Sequence, residues 1–82
     1  MVSRVSHAVM SLIEELQARR LPPVNMRRAI RLAAGVSQVR MAAELDVHRL
    51  TFVRWENGTH EPRSSNRERY ARLLADLQQV AP

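Results

Sequence analysis

The amino-acid sequence predicts an all-α fold, a compact bundle of four to five helices, and three observations lead there. Apolar residues recur at three- and four-residue steps along most of the chain, residues that start or stop helices stand at the ends of those runs, and no segment alternates apolar and polar residues for long enough to make a strand. With 82 residues the chain makes one small domain of modest buried area, so a partner subunit is a natural supplement to its stability.

Val2, Val5, Val9, Leu12, Ile13 and Leu16 lie at helical spacing, with Arg4, Glu14, Glu15, Arg19 and Arg20 mostly off that stripe. They describe an amphipathic helix over residues 4–20, within an N-terminal segment 1–21 whose apolar stripe must be covered by its own domain or by a second subunit. Its polar interruptions exclude a signal peptide and a bilayer span. Pro22 and Pro23 end the helix, because neither has an amide hydrogen to give and each disfavours helix in the residue before it.

Residues 24–80 then form the main folded unit. Asn25 is the expected cap of a helix over 26–34 that Gly35 ends in a left-handed conformation. Ser37 caps the next helix, Gln38 to Leu45, and Asp46 takes the turn. A further helix over 48–56 stops at Asn57-Gly58, a strong turn pair. After Pro62, Ser65 and Glu68 have capping-box spacing and open a last helix with an inward stripe of Tyr70, Leu73, Leu74 and Leu77.

The formal charge of +5 comes with thirteen arginines and no lysine. Arginine in place of lysine also follows from GC-rich coding, but the positive charge is physical under either explanation and favours a polyanionic partner. The absence of cysteine excludes disulfides and thiolate chemistry and fits a reducing cytoplasm. His7, His48 and His60 are scattered, Glu14 and Glu15 diverge on their helix, and neither a glycine-rich phosphate loop nor a nucleophile elbow is present. The expectation is therefore no enzyme, no metal, no cofactor and no small-molecule ligand.

The helix over 48–56 carries the functional signal. At 100° per residue, Thr51, Phe52, Trp55 and Glu56 share one arc, and Arg49, Leu50, Val53, Arg54 and Asn57 share the other. The two aromatic rings claim the core, so Leu50 and Val53 are sent outward between arginines. On the preceding helix Met41, Ala42 and Leu45 face inward, and the small Ala42 allows close helix crossing.

With Arg31, Gly35, Ser37, Gln38, Met41, Ala42, Leu45, Val47, Thr51, Phe52, Trp55, Glu56, Gly58 and Pro62 in ungapped register, residues 26–62 resemble the lambda-repressor-like helix-turn-helix domain of the phage repressor and Cro (XRE-like) family. Three positions depart from its pattern: Asp46 replaces a turn glycine, His48 replaces a Ser or Thr cap, and Arg40 stands where Glu is common.

The resemblance implies a DNA-binding transcriptional regulator, a homodimer on a palindromic operator in double-stranded DNA, with the 48–56 helix in the major groove. It makes His48, Arg49, Leu50, Val53 and Arg54 the base-contacting residues, since arginine can bind guanine bidentately and an apolar side chain can pack on a thymine methyl. Gln38, Arg40, Thr51, Asn57 and Thr59 become phosphate-contacting residues, and Arg31 and Glu56 a partly buried salt bridge. A different class of function, a protein-interaction module that keeps this fold, would use Leu50 and Val53 as a docking patch.

Overall fold

The computed structural model describes residues 11–13, 15, 16 and 20–80. Most of the predicted N-terminal helix, including Val2, Val5 and Val9, lies outside the described residues. Residues 11–13, 15 and 16 are helical, and Leu12, Ile13 and Leu16 are exposed. Four helices follow: α1 (Val24–Ala33), α2 (Gln38–Leu45), α3 (Arg49–Asn57) and α4 (Ser64–Val80). The described residues contain no strand, and none of their helices is long and apolar enough to cross a membrane.

Local chemistry sets the helix ends, with two corrections to the sequence reading. Helix α1 starts before Asn25: the carbonyl of Pro23 accepts from the amides of Met26 at 2.9 Å and Arg27 at 3.3 Å. Proline's extended backbone thus supplies the cap position, and Asn25 becomes an exposed residue of the first turn. Helix α4 likewise starts before the Ser65–Glu68 box, its first bonds running from the amides of Asn66 and Arg67 to the carbonyl of Arg63.

The other ends follow the expected chemistry. Ser37 Oγ accepts from the Arg40 amide at 3.1 Å, and His48 Nδ1 caps α3 by accepting from the Leu50 amide at 3.2 Å. Asp46 closes α2 in the left-handed region at φ 55, where a short polar side chain is tolerated. Gly58 closes α3 at φ 80, and there glycine is required twice over. A Cβ at this position would lie 2.8 Å from a methyl carbon of Val24, so the end of α3 sits directly on the start of α1.

Helix α3 packs between α1 and α2, and α4 lies across α1 and α2. The chain's single Phe, Trp and Tyr meet in the centre. The rings of Phe52 and Tyr70 stand edge to face with centroids 5.5 Å apart, and those of Trp55 and Tyr70 are tilted at 5.8 Å. Leu21, Ile30, Met41, Ala42, Leu45, Ala71 and Leu74 complete this core, with Val36, Val47, Leu73 and Leu77 packed around it. The inward arc of α3 and the stripe of α4 are thus where helical periodicity places them.

Tyr70 contributes its ring to the core at a cost. Its side chain is fully buried and its hydroxyl has no hydrogen-bond partner among the described residues. Burial pushes the phenol's pKa up, so the group stays neutral. An unpartnered buried hydroxyl is destabilising, and Phe has the same ring without it. Tyr70→Phe is therefore expected to leave stability unchanged or raise it by about 1 kcal/mol in chemical denaturation. A loss larger than that would mean that the hydroxyl is bonded in solution.

Candidate nucleic-acid interface

The two faces of α3 differ in chemistry as well as burial. Phe52, Trp55 and Glu56 are buried, whereas Arg49, Leu50, Arg54 and Asn57 are exposed and Thr51 and Val53 are half-buried. Leu50 is 51% exposed, one of several exposed apolar side chains among the described residues. No acidic residue lies on the outward arc. The exposed side of α3 therefore offers two guanidinium groups and one large apolar side chain.

Beneath this face lies a charged network. Arg31 Nε donates to Glu56 Oε2 at 2.6 Å, and a second guanidinium nitrogen donates to Oε1 at 2.9 Å, a bidentate pair whose side chains are 7% and 4% exposed. The third nitrogen of Arg31 donates to the carbonyl of Val36 at 2.8 Å, which ties the α1–α2 loop to the same group. Gln38 Nε2 donates to Glu56 Oε1 at 3.1 Å, and Gln38 Oε1 accepts from Arg49 at 3.4 Å. Gln38 thus links the buried pair to an arginine of the outward face.

Burial is the largest single influence on Glu56 and favours its neutral form. The bonds from Arg31 and Gln38, with the positive charges of Arg31 and Arg28, outweigh it and hold the carboxyl below its ordinary range. The bond to Glu56 raises the pKa of Arg31 in turn, against the opposing effect of burial.

Other sequence-derived site residues are distributed around this network. Asn57 Oδ1 accepts from both the amide and the hydroxyl of Thr59, which folds the chain sharply after α3. Arg40 lies apart from the α3 face. It pairs with Glu44 at 3.4 Å one turn along α2, beside a groove of about 240 Å³ that α2 shares with Leu73 and Leu77 of α4. Half-buried Thr51 belongs to the inward arc of α3.

Two arginines that the sequence reading did not single out prove important to this surface. Arg27 is buried, and donates to the carbonyls of Pro22 at 2.8 Å and Trp55 at 2.9 Å and to both carboxylate oxygens of Glu61 at 3.0 and 3.1 Å. It places a cation near the carbonyl end of α3, where the helix dipole is negative. Its spacing of four from Arg31 was the available signal, since that spacing puts both on one face of α1. Arg28 is exposed and stands at a cleft of about 340 Å³. Val24 and Asn25 of α1, Gln38 of α2, and Val53, Glu56 and Asn57 of α3 form the rest of its lining.

No family model, curated protein or solved structure matches the chain. Among the described residues no group of His, Cys, Asp and Glu is placed to hold a metal ion.

The buried pair makes a prediction in pH. Glu56→Ala leaves Arg31 buried without its counter-charge and is expected to cost about 3–5 kcal/mol at neutral pH. Folding lowers the pKa of Glu56, so the stability the pair contributes is fully present above the ordinary value of 4.5 and is lost as pH falls through the lower folded value. Denaturation midpoints of wild type and variant should therefore converge in acid, whereas a gap independent of pH would contradict this account.

Proposed function

We propose that the protein is a sequence-specific double-stranded DNA-binding regulator of transcription that lays α3 in the major groove. The observation that carries this reading is the outward face of α3: Arg49, Leu50 and Arg54 exposed without an acid among them, on a helix whose other side is anchored by Phe52 and Trp55. A groove about 12 Å wide admits a helix, arginine can bind guanine O6 and N7, and leucine can pack against a thymine methyl. The net charge of +5 supplies the general attraction to phosphates. The resemblance of residues 26–62 to phage repressor and Cro-type helix-turn-helix domains supports the same assignment.

Within this proposal the contacts of the site residues favour a division of roles. Gln38, read from the resemblance as a phosphate contact, also holds Arg49 and Glu56, so it positions a base-reading side chain. His48 caps α3 through Nδ1 and is exposed, so its Nε2 faces away from the cap and suits the base contact that the resemblance assigns to it. Asn57 and Thr59 lie where α3 ends and remain suited to the flanking backbone.

A homodimer on a near-palindrome, with half-sites one helical turn or about 34–36 Å apart, completes the proposal. Its support is the exposure of Leu12, Ile13 and Leu16 on the N-terminal helix, an apolar stripe suited to pairing with its copy. A regulator of this kind works in the cytoplasm on the nucleoid of a bacterial cell.

Arg49→Ala and Arg54→Ala are each expected to weaken operator binding by about 1–3 kcal/mol and to loosen preference at particular base pairs, as read by selection from genomic fragments. Unchanged affinity and selectivity in both would overturn the groove assignment. The exposed Leu50 favours a second reading, a protein-docking module, and duplex binding that is absent or insensitive to salt would favour it instead.

Leu12→Glu combined with Leu16→Glu is expected to convert a dimer to a monomer in light scattering of the full chain. A variant that keeps the wild-type dimer mass would move the subunit interface elsewhere.

A further inference from the structure

The cleft between the start of α1 and the end of α3 has an unusual charge balance. Of the three arginines on α1, Arg27 and Arg31 are buried and each is bonded to a carboxylate. Arg28 is exposed and has neither a hydrogen bond nor a salt bridge among the described residues. The acid in the cleft, Glu56, has both oxygens occupied, Oε2 by Arg31 and Oε1 by Arg31 and Gln38. Arg31 and Glu56 cancel, so Arg28 leaves the cleft with one unit of positive charge.

The remaining polar groups there are neutral amides. Asn57 turns its oxygen to Thr59, which leaves its NH2 as the end able to donate outward. Asn25 stands in the exposed first turn of α1, three residues before Arg28 and so on the same side of that helix. One guanidinium flanked by amide donors, with no free carboxylate, fits a singly charged oxyanion, and a guanidinium binds the two unbridged oxygens of a phosphodiester bidentately. Val53 belongs both to this cleft and to the outward arc of α3, so the cleft is continuous with the face assigned to base contact.

We infer that the cleft takes one phosphodiester of the bound duplex, with Arg28 as its charged anchor and Asn25 and Asn57 as neutral donors. The inference rests on the DNA-binding reading above and adds to it a backbone contact from α1. Such a contact fixes how far α3 enters the groove without reading sequence.

The test is the slope of log affinity against log salt for the full chain on mixed duplex DNA. Arg28→Gln should reduce the magnitude of that slope by about 0.9, the loss of one phosphate contact, and weaken all sequences alike. Arg28→Lys, which keeps the charge, should restore most of the slope. Arg72→Gln removes an equal charge from an exposed position on α4 that does not line the cleft. A wild-type slope in Arg28→Gln, or an equal reduction in Arg72→Gln, overturns the cleft assignment and leaves the DNA-binding reading in place. A wild-type protein that binds no duplex DNA overturns both. Arg28 makes no hydrogen bond or salt bridge among the described residues, so circular dichroism of Arg28→Gln should be that of wild type, which separates a lost contact from a lost fold.

Discussion

The bidentate bond between Arg31 and Glu56 joins the parts of this small protein that must agree in position. Arg31 is on α1, Glu56 is near the end of α3, and the leftover nitrogen of Arg31 holds the loop that leads into α2. A buried ion pair is not by itself a source of stability, because desolvation offsets most of its attraction. What it does impose is geometry, since a planar fork and a carboxylate match in few orientations. With Gln38 added, three helices are registered on one carboxylate, and Gln38 also reaches Arg49 on the outward face of α3.

Arg27 and Glu61 extend the same strategy from this end of α3 into the chain that follows it. The cation meets the carbonyl of Trp55, the carboxylate anchors the chain after Gly58, and Arg67 of α4 approaches that carboxylate at 3.8 Å. Tyr70 lies within the fields of both pairs, with Glu56, Arg27, Arg31 and Glu61 all acting on its phenol. The aromatic core is thus bracketed by ion pairs that fix the orientation of the helices around it.

Where the sequence was informative, the cause was local chemistry. Ser37, Asp46 and Gly58 each carry a conformation or a cap that few residues provide, and the α2 boundaries and the end of α3 at Asn57 follow from them. The heavy rings of Phe52 and Trp55 likewise orient α3 by burial alone. The start of α1 was hidden because a backbone carbonyl, that of Pro23, does the work that a side chain usually advertises. Arg27 was hidden for a different reason. An arginine reads as a surface residue unless its counter-charge is known, and Glu61 is 34 residues away in sequence. In the same way the cleft around Arg28 exists only through the meeting of three helices, and no single stretch encodes it.

The contact of Gly58 with Val24 links two positions that have no chemistry in common. The methyl groups of Val24 fill the volume where a side chain at 58 would begin, so the missing Cβ at one site and the branched one at the other form a single packed unit. A chain of this design could accept asparagine at 58, which tolerates left-handed backbone, only after residue 24 had become smaller. Homologous sequences should therefore change these two positions together or not at all, a correlation set by volume across a helix junction and blind to whatever the neighbouring arginines bind.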